Sequence, residues 1–335
     1  MYREAAESAA VVRRQFAANH DAVRQLGAKL RRLQPRAVIT CARGSSDHAA
    51  TYARYLLETR CGLLTSSAAP SVSSVYSVQT DLRNTLCLVI SQSGRSPDLL
   101  AAAESARAAG AMVVALVNAD DSLLAARSDH VILLRAGPER SIAATKSHVA
   151  SLTAILHLVA EWRCDNELQS ALAALPDGLE RAWNLDWQAA VERLRNGGSL
   201  FVVGRGLGLC VAQEAALKLK ETCRLHAEGL SAAELRHGPM ALVEAGFPVL
   251  IFAQEDETRE SSAALAAELA AGGAAVIVAG CEAPGALVLP TVSAHPAVQP
   301  ILLIQSFYRL VEALARARGM DPDHPPHLRK VTETV

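Results

Sequence analysis

Short runs of Val, Ile, Leu and Ala alternate along the chain with longer stretches in which apolar residues recur every three or four positions. An unbroken apolar run suits a strand buried on both faces, and the longer period suits a helix with one buried side. The alternation therefore predicts parallel sheets covered by helices on both faces, an α/β architecture of doubly wound type. Strands are expected near Ala37–Cys41, Leu86–Ile90, Met112–Val117 and Val131–Leu134 in the first half. In the second half they are expected near Leu200–Val203, Pro248–Phe252, Ala275–Ala279 and Ala286–Leu289. Between the halves, Trp162 to Arg195 keeps a helical period that Leu175-Pro176-Asp177-Gly178 interrupts, a group of turn formers that suits a connection between packed units.

A weak internal echo supports a division there. Ala42-Arg43-Gly44-Ser45-Ser46 and Gly204-Arg205-Gly206-Leu207-Gly208 each follow a predicted strand and open an Ala-rich helix, about half the chain apart. A chain of 335 residues also exceeds one ordinary core, since domains run to roughly 100–200 residues.

Composition narrows the class. The chain is 50% hydrophobic and 20% charged, which is globular rather than disordered. Its formal net charge of −1 offers no bulk attraction to nucleic acid or an anionic membrane, so any bound anion needs a local site. Seven scattered cysteines with no CxxC spacing read as reduced, mostly buried small hydrophobes. The N-terminus lacks the apolar stretch of a signal peptide, and no run approaches the ~20 apolar residues of a membrane span; a cytoplasmic address is expected.

Three constellations carry candidate chemistry. Leu86 to Asp98 reads as a buried strand, the hydroxyl-rich turn Ser91-Gln92-Ser93-Gly94-Arg95-Ser96, and a helix start at Pro97. Free N–H groups and the positive end of a helix dipole favour an anion such as phosphate, with Ser91, Ser93 and Ser96 adding hydroxyl donors and Gln92 bonding a sugar hydroxyl. The simpler alternative is that Ser96 only caps the helix ahead of Pro97. The turn Gly44-Ser45-Ser46-Asp47-His48 repeats the geometry and sets Ser46 at the carboxyl edge of the same sheet, where open α/β sheets bind ligands. The third is the helix Val211 to Arg224, with Glu214, Lys218 and Glu221 on one face, followed by the polar series His226-Ala227-Glu228-Gly229 and Glu234-Leu235-Arg236-His237-Gly238-Pro239. A solvated stripe worth ~0.2–0.5 kcal/mol per ion pair is the bland reading. A partly desolvated carboxylate that shuttles a proton, beside a His that opens a sugar ring, is the sharper one.

Together with Ala144-Thr145-Lys146, these segments resemble, in order and across nearly the whole chain, the isomerase half of glutamine–fructose-6-phosphate aminotransferase, which consists of two sugar-isomerase (SIS) domains. A Rossmann dehydrogenase is a poor competitor, because the full dinucleotide fingerprint is lacking. The resemblance implies two tandem SIS domains at residues 1–175 and 176–320, with a tail at 321–335 closing over the active site. The start Met1-Tyr2-Arg3 leads within a few dozen residues into the first SIS domain, where the aminotransferase carries a glutaminase domain, so no glutamine-derived ammonia supply is expected. With the ending Pro325-Pro326-His327-Leu328-Arg329-Lys330-Val331-Thr332, the chain looks like the stand-alone SIS-type glucosamine-6-phosphate deaminases.

Carried over by position, the resemblance implies that Ser46, Ser91, Gln92, Ser93 and Ser96 hold the phosphate and nearby hydroxyls, with Ile142 and Ala144 also at the substrate. Ala144 stands where the aminotransferase pattern has a serine. Glu221 is the implied base, Lys218 positions or stabilises charge, His237 opens the ring from a neighbouring subunit of a homodimer, and Lys330 engages the open-chain sugar. The implied reaction converts glucosamine 6-phosphate to fructose 6-phosphate and ammonia, without metal, nicotinamide or other cofactor. A related amino-sugar or fructosamine 6-phosphate substrate, an isomerase moving no nitrogen, and a non-catalytic sugar-phosphate sensor are the alternatives; the sensor lacks an appended helix-turn-helix module or basic arm.

Overall fold

The computed structural model describes residues 1–76, 78 and 80–330. One sheet consists of β1 (Ala37–Cys41), β2 (Thr65–Ser67), β3 (Thr85–Ser91), β4 (Met112–Val117) and β5 (His130–Leu133), in the order β2-β1-β3-β4-β5. The second consists of β6 (Ser199–Gly204), β7 (His226–Ser231), β8 (Pro248–Phe252), β9 (Ala275–Ala279) and β10 (Leu287–Leu289), in the order β10-β9-β8-β6-β7. Every pairing is parallel, with registers such as Val38 opposite Leu86 and Val202 opposite Leu250. Read from β2 and from β7 respectively, the two sheets have the same strand order. The echo between the two Arg-Gly turns is thus a repeat of topology.

The helices are α1 (Tyr2–Ala6), α2 (Ser8–Leu33), α3 (Ser45–Cys61), α4 (Pro70–Ser74), α5 (Pro97–Ala108), α6 (Leu123–Arg127), α7 (Lys146–Arg163), α8 (Asn166–Trp183), α9 (Gln188–Leu194), α10 (Gly208–Cys223), α11 (Ala232–Arg236), α12 (Arg259–Ala271) and α13 (Gln299–Ala317). Among the described residues no helix is long and apolar enough to cross a membrane.

All eight expected strands are present. The two further strands, β2 and β7, lie at sheet edges. An edge strand pairs on one side only and needs no continuous apolar run, so neither the short Thr65–Ser67 nor the polar His226–Ser231 carries the strand pattern. The Leu175-Pro176-Asp177-Gly178 group is not a turn but the interior of α8. A mid-helix proline costs about 3 kcal/mol, yet Leu168, Leu172, Leu175 and Leu179 form a buried stripe at helical spacing. At about 1.5–3 kcal/mol for each buried leucine, the stripe outweighs the proline.

The chain divides into two compact units. The first-sheet unit comprises Ala10–Glu139, Lys146–Ala173 and, at the end of the described chain, Arg329 and Lys330; the second-sheet unit comprises Met1–Ala9, Arg140–Thr145 and Ala174–Leu328. The main break falls within α8, and three short segments cross over. Their hydrogen bonds explain it. Gln305 Nε2 donates to the Ala5 carbonyl at 2.9 Å, the Met1 ammonium pairs with Asp323, and the Glu4 carboxylate accepts from the backbone N–H groups of Arg140 and Ser141. Of the expected tail at 321–335, residues 331–335 lie outside the described residues. Among the seven free cysteines, Cys61 is half-buried, Cys164 is exposed and the others are buried.

Close approach, rather than turn geometry, fixes one glycine in the second-sheet unit. A Cβ on Gly229 of β7 would stand 2.8 Å from Gln213 Cα and 2.9 Å from the Ala212 carbonyl oxygen, both on the backbone of α10. Gly229→Ala should therefore cost about 1–3 kcal/mol, the usual range for overpacking, measured by urea unfolding. An unchanged midpoint would show that β7 and α10 are not held this closely.

Candidate active-site residues in the two units

In the first-sheet unit the chain reverses its winding direction between β1 and β3, the switch point where open α/β sheets take ligands. Two turns emerge there. The one after β1 enters α3 through Gly44, whose φ of 54° suits a residue without a Cβ and whose position provides no side-chain cap. Ser45 and Ser46 begin the helix and are half-buried.

The turn after β3 is shaped by its own hydroxyls. Ser91 is buried, and its Oγ accepts from the Gly94 N–H at 3.1 Å; Ser93 Oγ accepts from the Arg95 N–H at 3.4 Å. Gly94 has φ 62°, and a Cβ there would meet Ser122 Oγ at 2.4 Å. Ser96 occupies the N-cap position of α5 with Pro97 after it, but its side chain makes no capping bond. The Gln92 carbonyl accepts from the Asn118 N–H at 3.1 Å, tying this turn to the end of β4.

Arg43 and Asp98 join the two turns, a link that sequence reading missed because the two residues lie far apart in the chain. Arg43 Nε donates to Asp98 Oδ2 at 2.9 Å, and the Asp98 side chain is 1% exposed. The guanidinium thus compensates a buried carboxylate in the first turn of α5 that would otherwise repel an anion. Burial, then the charge of Asp98, pushes the neighbouring Cys41 thiol up to about 12, so it is no nucleophile near neutral pH.

Lys330 belongs to this unit as well. Its ammonium lies 3.3 Å from Glu139 Oε2, and the fully buried Glu139 carboxylate also accepts from Ser147 Oγ at 2.5 Å and the Ser147 N–H at 3.2 Å. Glu139 gave no signal in the sequence, because its partners come from the start of α7 and the end of the chain.

The second-sheet unit holds Ile142, Ala144, Lys218, Glu221 and His237. Ile142 and Ala144 are half-buried on the segment that Glu4 anchors. On α10 the solvated-stripe reading fails. Lys218 is 1% exposed along its side chain, with its ammonium 2.6 Å from Glu221 Oε2 and 3.4 Å from Glu214 Oε1. Burial alone would lower the lysine pKa, but the attraction of Glu214 and Glu221 and the hydrogen bonds to them outweigh it and raise the pKa above its ordinary value. The group is therefore charged throughout the neutral range. Tyr308 of α13 donates to Glu214 Oε1 at 3.3 Å, which holds the deeper carboxylate in place. Glu221 is 18% exposed, and Lys218 engages one of its oxygens.

Gly204 serves close approach, since a Cβ there would stand 2.2 Å from the Gly208 carbonyl oxygen. Much of the polar series after α10 is β7, whose edge position accounts for its polarity. Ser231 caps α11 by accepting from the Glu234 N–H at 3.1 Å, and Arg236 pairs with Glu268 at 2.5 Å. His237 closes α11 and is exposed, and among the described residues its ring has no hydrogen-bond partner.

The SIS domain family model matches residues 33–160 and 193–289. Glutamine–fructose-6-phosphate aminotransferase [isomerizing] of Aeropyrum pernix is 36% identical over 312 residues, covering 87% of this chain and 50% of that protein. The corresponding Pyrobaculum aerophilum protein is 36% identical over 324 residues, 90% of this chain and 52% of its own length. The chain spans about half the length of these curated relatives. A crystal structure described as a phosphosugar isomerase from Silicibacter pomeroyi is 46% identical with a TM-score of 0.93, covering 96% of this chain and 99% of that one. Glucosamine-6-phosphate deaminase from Thermotoga maritima shares the fold at 22% identity and a TM-score of 0.79, covering 99% of this chain and 99% of that one. With both of its sheets matched in order and its turns at the two switch points accounted for, the chain belongs to the SIS-domain family.

Proposed function

We propose that this protein is an amino-sugar-phosphate deaminase that converts glucosamine 6-phosphate to fructose 6-phosphate and ammonia. The observation that carries the reading is the Lys218–Glu221 pair, a fully buried ammonium holding one oxygen of a partly buried carboxylate while the other oxygen is left for a proton. A solvated face has no use for such burial. The isomerising aminotransferases that match most of the chain support an aldose–ketose reaction on a phosphorylated amino sugar.

In this reading the turns at Ser46 and at Ser91, Gln92, Ser93 and Ser96 hold the phosphate and nearby hydroxyls, with Ile142 and Ala144 also against the sugar. His237, supplied by the second copy of a homodimer, transfers the proton that opens the ring, and Lys330 engages the open-chain sugar. Glu221 removes the C2 proton, the electron pair forms the C1–C2 enolamine, and the proton returns at C1. The product is a ketose imine. Water adds at C2 and ammonia leaves, giving fructose 6-phosphate, so that atoms balance with one water consumed. Lys218 holds Glu221 in orientation throughout.

The test is simultaneous measurement of ammonia and ketose phosphate from a panel containing glucosamine 6-phosphate, galactosamine 6-phosphate, a fructosamine 6-phosphate and non-amino sugar phosphates. Equimolar ammonia and fructose 6-phosphate from glucosamine 6-phosphate is expected, and in heavy water some deuterium should appear at C1. Isomerisation without ammonia would replace the reading by an isomerase, and binding without turnover by a sensor.

Glu221→Gln and Lys218→Met should separate the base from its support. Glu221→Gln should lower kcat by about 10²–10⁴-fold, the usual range for acid–base catalysis, and should destabilise the fold less than Lys218→Met does, because Glu214 still faces the ammonium. Lys218→Met leaves Glu214 and Glu221 without their shared cation and should destabilise the protein by about 3–5 kcal/mol in urea unfolding. Wild-type turnover by folded Glu221→Gln would remove Glu221 from the chemistry.

The phosphate turns predict a dependence on the phosphate itself. Ser93→Ala should raise KM more than it lowers kcat, and glucosamine without its 6-phosphate should be a very poor substrate. Steady-state kinetics on both compounds checks this, and equal turnover of the two would reject the phosphate assignment.

A further inference from the structure

The first-sheet unit carries a second cluster of titratable side chains, away from the switch-point turns. His157 and Glu161 stand four residues apart on α7 and so share one face, and His20 comes from α2. A ring nitrogen from each histidine and a carboxylate oxygen of Glu161 all lie within 4.8 Å of one another. They border a cavity of about 230 Å³ that Phe16, Gln169 and Leu172 also line. His157 and Glu161 are buried, while His20 is exposed.

A buried imidazole beside a buried carboxylate is costly unless its polar atoms find partners. The contacts to His157 here are ring contacts. Phe16 meets it edge-on with centroids 5.3 Å apart, and His20 lies nearly parallel at 6.2 Å. Such contacts leave in-plane nitrogen lone pairs uncommitted, and among the described residues neither imidazole has a hydrogen-bond partner. Glu161 Oε1 accepts from Gln169 Nε2 at 3.0 Å, which orients the carboxylate and leaves its other oxygen outside that bond.

The helices carrying the cluster are held together closely. A Cβ on Gly27 of α2 would stand 2.8 Å from the Glu161 carbonyl carbon, so the two backbones touch there. Arg31 of α2 also donates to the carbonyl oxygens of Glu161 and, at 3.0 Å, Trp162. Donor groups on such a frame are positioned before any ligand arrives.

We propose that His20, His157 and Glu161 bind one zinc-class divalent cation that staples α2 to α7, with a fourth coordination position facing the cavity. Two imidazoles and one carboxylate suit zinc, whereas calcium and magnesium prefer oxygen donors alone. Bonds of about 2.0–2.1 Å in a tetrahedral site bring donor atoms to about 3.3 Å from one another, so the exposed His20 side chain must swing inward on binding. Gln169 then acts as the outer partner of the carboxylate ligand.

The test uses the untagged, chelator-treated full chain titrated with Zn²⁺ by calorimetry and with Co²⁺ by absorption. One equivalent of each is expected, cobalt showing the intense visible bands of a four-coordinate site with no thiolate charge-transfer band. Zn²⁺ should raise the unfolding temperature. His20→Ala changes an exposed side chain, so the fold should persist while Zn²⁺ affinity falls at least 100-fold and the thermal shift disappears. Gln169→Ala should weaken binding by about 10–100-fold. No stoichiometric binding, affinity unchanged by His20→Ala, or a thiolate band from Cys61 or Cys164 would overturn the proposal. Sugar-phosphate turnover, measured in parallel, is independent of each of these outcomes.

Discussion

A fully buried ammonium must be compensated on all sides that matter, and the second-sheet unit is arranged around that requirement. Lys218 meets it with Glu214 on the deep side and Glu221 on the partly open side, and Tyr308 from α13 fixes the deeper carboxylate. Helical spacing alone puts the three charges on one face of α10, but burial turns an ordinary ion pair into a rigid triad. The close approach of β7 at Gly229 packs the sheet edge against this helix. A carboxylate held in one direction is the consequence.

The first-sheet unit is tied together at its switch point, where the turns after β1 and β3 emerge side by side. The hydroxyls of Ser91 and Ser93 take up backbone N–H groups within the turn after β3, and Arg43 on the turn after β1 pairs with the buried Asp98 at the start of α5. The second sheet has the same strand order, and its corresponding turn uses glycine for close packing at Gly204. A repeat of fold does not by itself imply a repeat of role.

Interleaving of the units follows from hydrogen bonds rather than from sequence proximity. The first nine residues join the second-sheet unit through Met1, Glu4 and Ala5, and Lys330 joins the first-sheet unit through Glu139. Each anchor places a charged or polar group against a partner more than a hundred residues away. No linear boundary can express that.

By itself the sequence determined the α/β class, the two-sheet plan, the eight apolar strands, and the turns and helix on which the candidate residues sit. Those features are local: apolar runs, helical spacing and strand-to-helix turns all act within about a dozen residues. Tertiary structure decided that β2 and β7 are strands, because an edge strand owes its pairing to its neighbour, and that Pro176 lies inside α8, because the leucine stripe around it is buried. It also decided that Lys218 is sequestered rather than solvated, that Arg43 meets Asp98, that Lys330 meets Glu139, and that His20 stands beside His157 and Glu161. Burial and ion pairing depend on which distant segments close around a side chain, and that information is carried by packing rather than by any local pattern.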